Sequence, residues 1–373
     1  MASHDRYGIM AFLMHGECKA LREGFRTRDN HLLEWFARLS CQPVLAVSRA
    51  EPWPRLTLAR RHAVTAVPPN VVFLSPEPRT LPNPQSRRSW WLRSLRYAAL
   101  PVISAPAITW NPIVALDDRF LAAVKASAKP LLFDLLDDWL VHPAFTQLQD
   151  EVQRAYTRLA EVATFVTANS EGTLARAHSL GRTDALLIPN GCDPDIFRLP
   201  PRASGPITVG YAGKLSRRLD TRLVAAAALA NPQVRFVLAG PLMDRRVRQE
   251  LRHLANVTFT GDIPYPDYPA LLATFDIAWV PHLVGDGEIG GDVIKTYEYR
   301  AAGLPTLTTP LIGSYRAPSG TTVLPPELLL QELARWLDKA NPETRIPRQP
   351  PDLPPEMTWR HKAQVMFDLL TAK

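Results

Sequence analysis

The side chains best placed to do chemistry lie in one run, Gly290-Gly291-Asp292-Val293-Ile294-Lys295-Thr296-Tyr297-Glu298-Tyr299-Arg300-Ala301-Ala302-Gly303-Leu304-Pro305. Twin glycines let a backbone pass close to a ligand, and Asp292 has the side chain of a helix cap. The residues after it tolerate a helix, which Gly303 and Pro305 would stop. Free N–H groups at such a helix start favour an anion, and Lys295 in the first turn adds a full positive charge beside them. Glu298 follows three residues later on the same face. Its carboxylate can accept two hydrogen bonds from a vicinal diol, so a ligand carrying phosphate and ribose would satisfy both side chains. The plain alternative is an exposed i,i+3 ion pair.

The elements that must hold this run follow from size and pattern. A chain of 373 residues with 46% apolar content divides naturally into two globular domains. Residues 1–130 hold 18 Lys/Arg against 9 Asp/Glu, while the remainder holds 25 against 27. A basic N-terminal third favours anionic partners: nucleic acid, a membrane face or a phosphorylated substrate. Cys18, Cys41 and Cys192 are far apart and in no metal-like spacing, which fits plain thiols in a reducing compartment. No signal-peptide pattern precedes the first strand and no apolar run reaches membrane-spanning length, so a cytoplasmic protein is expected, peripheral at most on the inner face of the plasma membrane.

Along the chain, strands are expected at residues 8–14, 44–47, 71–74, 101–104 and 130–139, with a helix over 31–39. Strand, loop, helix and strand form a βαβ unit whose long polar loop, from His15 to Asn30, lies where open α/β sheets bind ligands. Arginines and aromatics interleave from Arg87 to Tyr97, the composition of a helix lying on a bilayer, or else of a packing helix with solvated arginines. Asp137 and Asp138 close a hydrophobic strand and point into the crevice, unless they cap the next segment. A helix is expected over 150–163, and residues 199–206 read as a linker. A second domain begins with a strand running into Gly213, where backbone N–H groups can approach a diphosphate and Lys214, Arg217 or Arg218 can neutralise it. Strands over 234–238, 257–260 and 276–280 give the rhythm of a doubly wound half-sheet. Residues 342–355 are Pro-rich and read as an extended surface segment, followed by an amphipathic helix to the end. Asp193-Pro194-Asp195 sits in a turn rather than at a strand end, and no metal is expected.

The run from Lys295 to Pro305, with its Lys-x-x-Glu-Tyr-x-Ala-x-Gly-x-Pro pattern and a strand after it, resembles the nucleotide-binding signature of GT-B glycosyltransferases of the bacterial group 1 type. Asn190-Gly191-Cys192-Asp193 with Phe197 resembles that family's Asn-Gly-x-Asp segment. The resemblance implies an α/β fold of two Rossmann-like domains facing each other across a cleft. It implies residues 1–198 as the acceptor domain, joined by a helix over 356–373. Residues 207–340 form the sugar-nucleotide domain, and 341–355 the return segment. It further implies a nucleotide sugar as substrate, with no separate cofactor, and a glycan or lipid-linked acceptor. Nucleic acid is not an expected partner. Glu298 would hold the ribose and Lys295 the diphosphate, with Gly213, Lys214, Arg217, Gly291, Asp292 and Val293 around them; Ile263 and Tyr265 would lie at the nucleobase. Exopolysaccharide members such as those of xanthan assembly use an N-terminal-domain aspartate as general base, which makes Asp137 the first candidate, Asp138 the second and His15 a rival, with His142 weaker. Many retaining members carry a second glutamate where this chain has Gly290, and the stereochemical outcome stays open. A sugar-nucleotide epimerase or hydrolase of the same fold, and a non-catalytic nucleotide-binding subunit, are the alternatives.

Overall fold

The computed structural model describes residues 6–52, 63–74, 79–80, 92–93, 100–285, 292–311, 313, 316, 320–340, 345–349 and 353–372. Gly291 and most of the Arg87–Tyr97 stretch therefore lie outside the described residues. The chain divides into two compact units, one of Met1–Pro189, Ile289–Asp292 and Trp359–Lys373, the other of Asn190–Glu288 and Val293–Thr358.

The first unit is built on strands β1 (Ile9–Phe12), β2 (Val44–Val47), β3 (Val71–Phe73), β4 (Ala107–Thr109), β5 (Leu131–Leu135), β6 (Phe165–Ala168) and β7 (Leu186–Leu187). They form one seven-stranded sheet in the order β3-β2-β1-β4-β5-β6-β7, and every pairing is parallel. All the residues of β1, β2, β4 and β5 are buried, which is why they read as continuous apolar runs rather than alternating ones. Helices α1 (Glu17–Glu23), α2 (Arg28–Leu39), α3 (Asp118–Ser127), α4 (Gln149–Val162) and α5 (Glu171–Ser179) connect them. The strand expected at 101–104 is absent. Residues 101–104 carry no regular structure, and the ladder begins only after Pro106, where Ala107 N donates to Pro130 O at 2.9 Å. Prolines at 101 and 106 lack the N–H groups that a central strand must supply.

A buried ion pair ties α2 to β5. Arg28 Nε donates to Asp134 Oδ2 at 2.8 Å, and Arg28 Nη2 reaches Asp134 Oδ1 at 3.1 Å and Ile188 O at 2.8 Å. Trp110 Nε1 and Thr167 Oγ1 donate to the same carboxylate, each at 2.7 Å. With four donors on one buried carboxylate, its desolvation is offset and the helix angle is fixed. The last helix, α11 (Trp359–Thr371), also belongs to this unit and packs on α2, where the His31 and Trp359 rings stack 5.0 Å apart.

The second unit holds β8 (Thr208–Ala212), β9 (Arg235–Ala239), β10 (Val257–Gly261), β11 (Ile277–Val280), β12 (Thr306–Thr308) and β13 (Thr321–Val323) in the order β10-β9-β8-β11-β12-β13, again all parallel. Helices α6 (Thr221–Ala230), α7 (Arg245–Leu251), α8 (Tyr268–Leu272), α9 (Ile294–Ala301) and α10 (Pro326–Lys339) alternate with the strands. The two sheets repeat one doubly wound topology, and each reverses its winding beside its first strand. The Pro-rich segment is anchored rather than merely laid on the surface. Arg345 Nη1 binds both oxygens of the buried Asp276 at 3.0 and 2.8 Å, and Arg348 Nη2 donates to Ala273 O at 2.7 Å.

Two outcomes follow. Burial holds the His31 imidazole down to about 3, against 6.5 when unfolded. The unfolded chain takes up that proton first, so stability is lost as pH falls from about 6.5 toward 3, by up to about 5 kcal/mol. Chemical denaturation across this range should show a shallower pH slope for His31→Phe than for the parent chain. Arg345→Ala leaves Asp276 charged and unpaired in the interior, and should lower the unfolding free energy by about 3–5 kcal/mol in urea titrations.

Candidate active site

At the carboxyl end of the second sheet, backbone contact sets the geometry. Gly213 N donates to Ala239 O at 2.8 Å, and a Cβ on Gly240 would stand 2.0 Å from Gly213 O. Gly240 has φ +132, so no other residue fits there in either respect. Directly above, a Cβ on Gly213 would lie 2.7 Å from Lys295 Cε and 2.9 Å from Lys295 Nζ. The glycine turn expected from the sequence thus exists, and it is the lysine of α9 that comes down on it.

Helix α9 is located by two features of its own sequence. Its end is a Schellman motif: Gly303, at φ +68, donates to Arg300 O, and Leu304 N donates to Tyr299 O, both at 2.9 Å. Its middle is pinned to β8, because Ala212 N donates to the Tyr299 hydroxyl at 2.8 Å. Asp292 does not cap the helix as expected. Val293 occupies the N-cap position and makes no side-chain cap bond, since the chain turns into the helix one residue later.

Lys295 is half-buried, with Nζ 5.0 Å from the centroid of the Tyr211 ring. Burial, helped by the positive charges of Arg218 and Lys214, pulls its ammonium down to about 7, while Glu298 acts in the opposite sense. Beneath it the Tyr211 hydroxyl donates to Lys214 O at 3.2 Å and lies 3.0 Å from His282 Nε2. With the phenol proton on Lys214 O, His282 Nε2–H is the donor of the second bond. Burial and the charges of Lys295 and Arg218 keep His282 far below its ordinary value, hence neutral. Sequence reasoning did not select Tyr211 or His282. Their positions directly at strand ends, Tyr211 before the glycine turn and His282 after β11, were the available signal. Arg218 is half-buried and acts on Lys295, whereas Arg217 is exposed.

Glu298 is buried, at 5% exposure, and faces the opposite pole. Its charge adds to burial in holding Tyr265, Tyr268 and Cys192 well above their ordinary values. Tyr265 stacks on Tyr268 with centroids 5.9 Å apart, and Ile263 is half-buried in the preceding turn. One helical turn therefore separates a cationic pole at Gly213 from an anionic one at Glu298. An elongated ligand with phosphate at one end and hydroxyl donors at the other matches that field.

In the first unit the carboxyl end of β5 carries the two aspartates. Asp138 is 6% exposed and committed: Oδ2 accepts from Arg176 Nε at 2.9 Å and Oδ1 from Leu140 N at 3.0 Å. Asp137 is half-buried, and its carbonyl accepts from the Tyr156 hydroxyl at 3.2 Å, which fixes the loop. His15 is half-buried just beyond β1. His142 caps a short turn, Nδ1 accepting from Ala144 N at 3.0 Å. Among the described residues no cluster of three or more His, Cys, Asp or Glu could hold a metal ion, and no helix is long and apolar enough to cross a membrane.

Known proteins share this fold. Residues 206–339, which contain all six strands of the second unit's sheet, match the family described as Glycosyl transferases group 1. A protein named as a teichuronic acid biosynthesis glycosyltransferase of Bacillus subtilis (strain 168) is 25% identical over 173 residues; the match spans 43% of this chain and 44% of that relative. Among solved structures, Anabaena HepE in complex with UDP and glucose superposes with a TM-score of 0.62 at 17% identity, over 97% of this chain and 95% of that one. Sucrose-phosphate synthase from Thermosynechococcus elongatus gives 0.66 at 17% identity over the same shares. A UDP-forming α,α-trehalose-phosphate synthase from Burkholderia vietnamiensis gives 0.59 at 13% identity, over 99% of this chain and 96% of that one. Two parallel Rossmann-like sheets in one topology give the chain the GT-B fold of these solved structures, and its residues 206–339 are similar to the group 1 glycosyltransferases.

Proposed function

We propose that this protein transfers a glycosyl group from a nucleoside diphosphate sugar to a hydroxyl of a glycan or lipid-linked acceptor. The observation that carries the reading is the pairing on one helix of Lys295 against the Gly213 turn with the buried Glu298. HepE has been solved with UDP and with UDP-glucose, which makes a uridine diphosphate sugar the first donor to test.

In this reading the diphosphate lies against Gly213, Lys214 and Lys295, with Asp292 and Val293 at the helix start, Arg218 close by and Arg217 at the rim. Glu298 accepts from the ribose hydroxyls, and the base rests against Ile263 and Tyr265. Attack forms the bond from the acceptor oxygen to the anomeric carbon and breaks the bond from that carbon to the phosphate oxygen. The diphosphate leaves with the electron pair and additional negative charge, which the lysines and Arg218 stabilise without a metal ion. The acceptor proton passes to Asp137. Its neighbour Asp138 is held by Arg176, which supports Asp137 over it. His15 is the alternative base.

Kinetics with UDP-glucose and its true acceptor test the roles separately. Glu298→Ala should weaken donor binding about tenfold to a hundredfold, the worth of hydrogen bonds to a charged group. Asp137→Asn should leave donor binding near its parent value and lower kcat by about 10²–10⁴. Full turnover in Asp137→Asn moves the base to His15, and unchanged donor affinity in Glu298→Ala removes the ribose assignment. Calorimetry tests Lys295. Its ammonium sits at about 7 in the free protein and a bound diphosphate favours the charged form, so binding above pH 7 takes up a proton. Donor affinity should fall as pH rises from 7, by up to about tenfold per unit, and Lys295→Arg should abolish that slope.

A further inference from the structure

Three adjoining loops of the second unit, the first of which also carries the donor-side turn, bear an apolar surface beyond that turn. They follow β8, β9 and β11 and are joined through the backbone, Met243 N donating to Leu215 O at 2.8 Å and Leu283 N to Arg218 O at 2.7 Å. Leu242, Met243, Leu283 and Val284 stand on these loops at 40%, 64%, 40% and 50% exposure. Scattered exposed apolar side chains are ordinary, but four large ones on abutting loops form a patch.

A basic field surrounds the patch. Residues 213–222 and 240–253 together hold 8 Lys/Arg and 3 Asp/Glu. All three acids are engaged in the local fold: Asp220 and Asp244 cap α6 and α7, and Glu250 accepts from the Thr221 hydroxyl. Arg245, Arg246, Arg248 and Arg252 are exposed, and none makes an ion pair among the described residues. Like charges gathered without counter-ions repel one another, and an anionic partner removes that cost.

We propose that this surface docks on an anionic lipid bilayer, with the apolar loop tips entering the interface and the arginines meeting head groups. A soluble polyanion would satisfy the arginines and leave Met243 and Val284 in water. An apolar groove on another protein would cover the tips and leave the arginines unanswered. The apolar residues of α7, Val247 and Leu251, face inward and are buried, so the loops rather than an amphipathic helix make the insertion. The proposal stands independently of the transfer reaction. Its consequence is that the turn at Lys214 and Arg218 lies within the same loops as the lipid contact.

The test is flotation of the full chain with phosphatidylcholine vesicles, with and without phosphatidylglycerol. Binding is expected only to the anionic vesicles and should weaken with added salt. Removing three charges in Arg245→Ser, Arg246→Ser and Arg248→Ser should weaken it about a hundredfold, at roughly fivefold per charge. Met243→Glu with Val284→Glu should also release the protein from vesicles while leaving its melting temperature unchanged. Vesicle binding that survives both sets of changes overturns the proposal. So does a failure to bind anionic vesicles, or polyglutamate binding as tight as vesicle binding and indifferent to Met243→Glu with Val284→Glu.

Discussion

Two stretches of main chain touch at the carboxyl end of the second sheet, and the site rests on that contact. Gly240 meets the carbonyl of Gly213 where no side chain could stand. Because the strands that end there are hydrogen-bonded neighbours, the turn after β8 cannot rise away from the turn after β9. That keeps the surface low enough for Lys295 to reach across it, and Tyr299 sets the height of the helix from which Lys295 projects. A larger residue at either glycine would lift the floor, move the ammonium and disturb the Tyr211 bond to Lys214 O. Packing of the backbone, rather than any single charged bond, is what places the charges.

Those charges are kept in an unsettled balance. Lys295 is surrounded by cations and by protein, so its ammonium is held only weakly, while the Glu298 carboxylate is enclosed by tyrosines whose ionisation it suppresses. Negative charge brought to the cationic pole would relieve the repulsion there. The site is therefore an electrostatic mould in which the protein has already met the cost of assembling like charges. Asp138 has partners in Arg176 and the Leu140 amide.

Much of this was readable in the residues. The end of α9 obeys the capping rule that Gly303 announced, whereas its start does not use the cap expected at Asp292. The parallel strands were visible as unbroken apolar runs, with β2 found at Val44–Val47 as expected. What escaped notice depended on distance along the chain. Arg176 pairs with Asp138 across 38 residues, and Arg345 reaches Asp276 across 69. No periodicity announces such bonds. The choice between Arg217 and Arg218 is of another kind, since a turn has no repeating face from which to read direction. Prolines concealed β4, displacing the apparent apolar strand to the segment before it.

The place of α11 in the first unit bears on how the molecule is made. Its contacts with α2 join residues separated by more than three hundred positions of chain, with the whole second sheet encoded between them. During synthesis the second sheet can assemble as soon as it emerges, while α2 still lacks its cover. The earlier-made half of the protein is thus the later to be finished. Until translation reaches Trp359, its stack on His31 cannot form, and the face of α2 that α11 covers stays available to chaperones.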